Sequence, residues 1–141
     1  LSCNSVEMSE KQIVSVYESY GSRKLINNML RAYISPSMGE HSIDGIFTSS
    51  DHLAMIVQEE LEEMGKRVPE DIQIIGYDGL QFLNQGKPIV SSIAQPVHEI
   101  AKEAVRCLNE LIANGKTEGN TKIPVSFQEG PTTKTLVTEE K

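Results

Sequence analysis

The sequence of 141 residues has no tryptophan, three phenylalanines, four tyrosines, two cysteines, and 13 basic residues against 20 acidic ones. Each shortage excludes something. Cys3 and Cys107 stand far apart with no CxxC or Cys/His cluster around them. They read as free thiols in a reducing compartment rather than as a disulfide framework. A net charge of −7 and a pI near 5.0 leave no basic footprint for a nucleic-acid surface, so the acidity reads as ordinary solvation. No apolar run approaches the roughly 18 residues of a membrane span, and no signal peptide is visible. His41, His52 and His98 are scattered, without the ligand spacing of a zinc site. There is no GxGxxG, P-loop or GxSxG elbow. The acidic pairs Glu59/Glu60, Glu62/Glu63 and Glu70/Asp71 are adjacent in sequence, hence splayed, and read as solvated charge. No catalytic set emerges and no cofactor or metal is implied, so the chain is not read as an enzyme.

What the chain does carry is an alternation of strand and helix patterns on the scale of one domain. Residues 12–17 read as a short strand. Residues 22–34 place Leu25, Ile26, Met29, Leu30 and Tyr33 on one face of an amphipathic helix, which Ser35-Pro36 ends. A strand over 45–48 delivers Ser49, Ser50 and Asp51 to a helix N-terminus, where short oxygen side chains satisfy free backbone amides. Leu53, Ala54, Val57, Leu61 and Met64 form that helix's sheet-facing stripe, and Gly65 stops it. An apolar strand over 72–77, of the kind covered on both faces, ends in Asp78. Residues 79–88 read as a polar loop and 89–94 as another strand. A long helix over 97–114 then carries an apolar stripe at Ile100, Ala101, Ala104, Val105, Leu108, Leu111 and Ile112, and a final strand over 123–127 precedes a polar tail. Such alternation implies an α/β fold with a largely parallel sheet flanked by helices. The strand ends at 49–51 and 77–78 should lie side by side at the carboxyl edge, where open α/β sheets bind ligands.

Three linked motifs, IFTSSDHLAM, GKRVPEDIQIIGYDG and IVSSIAQP, occur here in that order. Their succession resembles the effector-binding domain of LacI/GalR transcription regulators, and the tail IPVSFQEGPTTK is most similar to sucrose operon repressors. The resemblance covers residues 14–134. It implies one lobe of a two-lobed sensor of the type I periplasmic-binding-protein-like fold, cytoplasmic, with a small carbohydrate effector and a homodimeric assembly. DNA would be contacted only through an N-terminal module that is not in this sequence. A complete regulator would be more than twice as long, and Leu1 in place of an initiator Met fits a fragment. The competing reading is a periplasmic or secreted sugar-binding protein of the same fold, and a flavodoxin-like enzyme or phospho-acceptor is disfavoured by the absent acidic trio.

The resemblance also assigns positions. Asp78 of the GYD motif is the leading ligand contact, since a carboxylate at a strand end can accept two hydrogen bonds from vicinal hydroxyls; the alternative is a cap for the following turn. Ser50 is an N-cap, a ligand contact, or both, and Asp51 is a helix-dipole residue first. Tyr17, with Tyr20 second, is the candidate ring for a sugar's apolar face. Gln95 and Val97 occupy hinge positions reaching the cleft. The dimer face implied is His52, Met55, Gln58, Glu59, Glu62 and Phe82, with Met55 near its centre. Residues 1–96 would form the C-terminal lobe, 97–123 a helix and linker belonging to the other lobe in relatives, and 124–141 the returning strand and tail. The family's anchoring Arg motif and the opposing lobe are absent, so this segment alone should bind sugar weakly. Water on the 97–114 stripe would forfeit about 1.5–3 kcal/mol per large side chain. The stripe is therefore expected to be covered, by the remaining sheet, by a second chain or by crystal contacts, and finding it open with no neighbouring chain would count against the missing-lobe argument.

Overall fold

A computed structural model describes residues 23–34, 43–79, 83–84, 87–117 and 120–135. Three helices, α1 (Arg23–Ile34), α2 (Asp51–Glu63) and α3 (Val97–Asn114), accompany six strands: β1 (Gly45–Phe47), β2 (Gln73–Asp78), β3 (Leu83–Asn84), β4 (Lys87–Pro88), β5 (Ser91–Ala94) and β6 (Ser126–Gln128). The main sheet runs in the order β1-β2-β5-β6. Its first three strands are mutually parallel and β6 returns antiparallel beside β5. β3 and β4 form a separate small hairpin, where the sequence reads as loop. The strand expected over 12–17 lies outside the described residues.

The core is built from α2 and one face of the sheet. Ala54, Val57 and Leu61 of the expected stripe are buried, and Leu53 and Met64 pack against them half-buried. Ile56 joins this cluster together with Ile26 and Leu30 of α1, because α1 packs on α2 rather than on the sheet directly. Along β2 the alternation is plain: Ile74 and Gly76 are buried while Gln73, Ile75 and Tyr77 are half-open. The expectation of a strand sealed on both faces is therefore corrected. The face away from α2 carries Phe47 opposite Ile75, and Tyr77 opposite Ile93, itself opposite Phe127. Phe47 meets Tyr77 edge-to-face at 6.3 Å between ring centroids, yet it remains 62% exposed.

Two polar groups also depart from the surface reading. Glu60 is only 3% exposed, because Asn27 of α1 donates to it at 2.7 Å and Arg23 pairs with it at 3.6 Å. The tail is pinned as well. Thr132, fully buried, donates its hydroxyl to the Ile74 carbonyl at 2.7 Å and accepts the Ser91 N–H at 2.8 Å, tying β2 to β5 beyond their ladder.

α3 has the bounds expected of it. Pro96 precedes it and Gly115, in the left-handed conformation, caps it through a bond to the Leu111 carbonyl. Its stripe is not covered. No residue of α3 is buried, and Val105, Leu108 and Ile112 are 58%, 55% and 75% exposed. The expectation that the stripe would dock on the remaining sheet fails, and an open stripe is the outcome that was to count against the missing-lobe argument. The chain turns from β5 through Gln95-Pro96 directly into the helix, α2 occupies the closed face of the sheet, and α3 contributes no residue to the core cluster.

Candidate functional site

The parallel order of β1, β2 and β5 brings their carboxyl ends to one edge. Ser50 follows β1, Asp78 ends β2, and Gln95 follows β5. The side-by-side placement of 49–51 and 77–78 is thus observed, and Gln95 joins them. Ser50 has extended backbone and its hydroxyl accepts the Leu53 N–H at 3.2 Å, the N-cap geometry of α2. It is 8% exposed, so capping commits its side chain more than the opening toward solvent does.

Asp78 is held by two hydrogen bonds from Gln95. Gln95 donates its side-chain amide to Asp78 Oδ1 at 2.8 Å, and the Gln95 backbone N–H donates to the Asp78 carbonyl at 3.2 Å. Among the described residues Asp78 alone, glycines aside, has positive φ, at 105°. A side-chain-bearing residue held there costs about 1–3 kcal/mol and persists only where its surroundings enforce it. The carboxylate keeps lone pairs beyond the bond to Gln95 and remains half-exposed. It can accept hydroxyl donors from the edge of the sheet.

Behind Asp78 lies a polar group whose burial sequence reasoning did not anticipate. Asp51, read first as a helix-dipole residue, opens α2 as expected and is fully buried. Its Oδ1 accepts the Ser92 hydroxyl at 2.5 Å, and Ser92 in turn accepts the Gly79 N–H at 3.1 Å. Asp51 Oδ2 has no hydrogen-bond partner among the described residues. The positive end of α2 favours the charge placed there. The signal that could have exposed this group is Ser91-Ser92 in the middle of a buried strand, since interior hydroxyls need partners.

The remaining assigned positions divide. Val97 begins α3 and is 66% exposed. Tyr17 and Tyr20 lie outside the described residues, as does Phe82. On α2, His52 and Glu62 are exposed and Gln58 is half-exposed, its amide donating to Glu62 at 2.9 Å. Met55 packs half-buried against the core. Glu59 pairs with Arg23 of α1. Among the described residues Cys107 is a free thiol and no group of side chains has the makings of a metal site. No helix among them is long and apolar enough to cross a membrane.

An open, mostly parallel sheet with polar residues converging at its carboxyl edge is an α/β architecture, and sheets of this kind bind ligands at that edge. The chain belongs to the periplasmic binding protein-like domain family, whose model matches residues 4–133. It is 39% identical over 67 residues to the ribose operon repressor of Halalkalibacterium halodurans, a match covering 48% of this chain and 20% of that protein. With the sucrose operon repressor of Pediococcus pentosaceus it shares 31% identity over 99 residues, covering 69% of this chain and 30% of the relative. The chain thus spans less than a third of these relatives. Among solved structures, a LacI family transcriptional regulator from Arthrobacter in complex with lactose superposes with a TM-score of 0.62 at 27% identity, over 81% of this chain and 42% of the other. A LacI family regulator from Enterococcus faecium with bound ribose gives 0.58 at 30% identity, over 80% and 41%.

Proposed function

We propose that this chain is a sugar-sensing and dimerising part of the effector-binding domain of a LacI/GalR-type repressor of a carbohydrate operon, working in the cytoplasm and without enzymatic activity. The observation that carries this reading is the half-exposed Asp78 carboxylate at the shared edge of β1, β2 and β5, flanked by Ser50 and Gln95. The relatives named for ribose and sucrose operons support a small carbohydrate as the effector. Asp78 accepts hydroxyls of the sugar, Gln95 aligns the carboxylate and meets the ligand from the hinge, Ser50 presents the helix cap, and Val97 and Tyr17 supply apolar contact.

Residues 97–123 are assigned to the opposing lobe although the open stripe was to count against that division, because an apolar face left bare in the single chain is what a further lobe would cover. The face of α2 carrying His52, Met55, Gln58, Glu59 and Glu62 forms the twofold contact, to which Phe82 is also assigned. DNA is held by a separate module. Regulation is linkage: a sugar that binds one lobe closure more tightly shifts the population toward it, and DNA affinity changes by no more than that difference.

The test is titration calorimetry with ribose and with sucrose on the repressor carrying this segment, beside Asp78→Asn. A hydrogen bond to a charged group contributes about 1.5–3 kcal/mol, so the variant should bind the responsive sugar about 10- to 100-fold more weakly. Wild-type affinity in Asp78→Asn would refute the assignment.

A further inference from the structure

Ser92 carries a role that neither the ligand contacts nor the sheet ladder require of it. We propose that Ser92, anchored by Asp51, is the positioning residue that sets the aim of the Asp78 carboxylate. This rests on the reading of Asp78 as the ligand contact.

The argument turns on one peptide plane. The carbonyl of Asp78 and the N–H of Gly79 belong to the same rigid unit. Its carbonyl end accepts the Gln95 backbone N–H at 3.2 Å, and its N–H end donates to Ser92 Oγ at 3.1 Å. With both ends held, the ψ angle of Asp78 is held. Its φ of 105° is then sustained against the steric preference for negative values. Together the two angles fix where the Cα–Cβ bond points, and so where the carboxylate meets Gln95 Nε2 and any ligand.

Ser92 can act this way because its hydroxyl is fully committed. It donates its one proton to Asp51 Oδ1 and accepts from Gly79, so it cannot rotate without breaking a bond. Asp51 is an immobile anchor, fully buried at the first residue of α2. Small residues make the relay possible. Gly76 stands opposite Ser92 in the ladder, and a Cβ there would overlap Asp51 Oδ1. Gly79, at φ 66°, has no room for a Cβ beside Ala94. An alanine at 92 would keep the strand, and it would leave the Gly79 N–H without its acceptor and Asp51 without its donor.

The experiment is nuclear magnetic resonance on the uniformly 15N-labelled chain, comparing wild type with Ser92→Ala and Ser92→Thr. Three signals are followed: hydrogen exchange of the Gly79 amide, the chemical shift of the Gln95 side-chain amide, and exchange of the Ile74 amide. The last is bonded to the Thr132 carbonyl at 2.9 Å and reports on the fold as a whole. In Ser92→Ala, Gly79 should exchange at least about tenfold faster and the Gln95 amide should move toward its solvated position, with Ile74 still protected. Ser92→Thr, which keeps the hydroxyl, should restore both signals. Unchanged Gly79 and Gln95 signals in a folded Ser92→Ala overturn the proposal, as does a folded Ser92→Thr that restores neither. If either variant loses Ile74 protection, Ser92→Cys decides: its weak donor and acceptor must shift the same two signals in the same direction, and unchanged signals overturn the proposal. A second arm separates this inference from the sugar reading. In the intact repressor, Ser92→Ala should weaken ribose or sucrose binding wherever Asp78→Asn does. If Asp78→Asn weakens binding and Ser92→Ala does not, the positioning role is refuted. If Asp78→Asn has no effect, the sugar reading falls and the resonance signals still decide the relay.

Discussion

Gly76→Ala tests the packing on which the sheet edge depends. A Cβ at this position would overlap Asp51 Oδ1 and come within 3.1 Å of Asp51 Cα. The obstacle is the root of a fully buried side chain at a helix start, so it cannot swing aside as a flexible tip would. Two responses are open to the protein. It can keep Asp51 in place and strain β2 against α2, which for an overpacked core costs about 1–3 kcal/mol. Or it can displace the carboxylate and lose the bond from Ser92, at about 1.5–3 kcal/mol for a hydrogen bond to a charged group. The cheaper response caps the cost, and we expect a net loss of about 1–3 kcal/mol. In urea, with a slope of about 1–3 kcal/mol per molar, the unfolding midpoint should fall by roughly 0.5–1.5 M. Gly45→Ala is the control, because a Cβ there meets nothing within 4 Å. A Gly76→Ala midpoint indistinguishable from that of Gly45→Ala would refute the reasoning.

Two further outcomes are expected. In α3, hydrogen bonding from Arg106, and next from Thr121, lowers the Glu103 carboxyl from 4.5 to about 2. Its contribution to helix stability is full above pH 4.5 and is lost as the pH falls toward 2. Carbon-detected titration should show Arg106→Ala returning Glu103 toward 4.5, and a Glu103 midpoint unmoved by that substitution would contradict the assignment. On the bare stripe, Leu108→Lys should leave the urea stability of this chain within about 0.5 kcal/mol of wild type, as for surface substitutions. In the intact repressor the same change should cost about 1.5–3 kcal/mol, and a large loss in this chain alone would show that the stripe is covered after all.

Local punctuation made much of the fold legible in the sequence. Pro96 and Gly115 bracket α3, Ser50 announces the start of α2, and the order of apolar runs separated by a helix implied parallel strands. Asp78 and Ser50 could be placed at one edge for the same reason, whereas Gln95 entered only through the family resemblance. What stayed hidden depends on partners distant in sequence. The burial of Asp51 is settled by Ser92, that of Glu60 by Asn27 and Arg23, and that of Thr132 by the backbone of Ile74 and Ser91. Periodicity along one segment carries no trace of such pairings, and an acid in a helix's first turn looks the same whether it faces water or a serine. The bare stripe misled in the opposite sense. Its apolar content was read correctly, but a cost in water does not create a surface to relieve it.

The pairing of Ala94 with Ser126 has a mechanical consequence. Residues 95–125 leave the sheet from one strand and re-enter it on the adjacent one, so the excursion is tethered by two neighbouring lines about 4.8 Å apart. Splaying these two lines would pull the β5 and β6 ladder apart. Whatever packs on α3 is therefore joined to the sheet by two paired crossings rather than one, next to the edge where Asp78 and Gln95 meet.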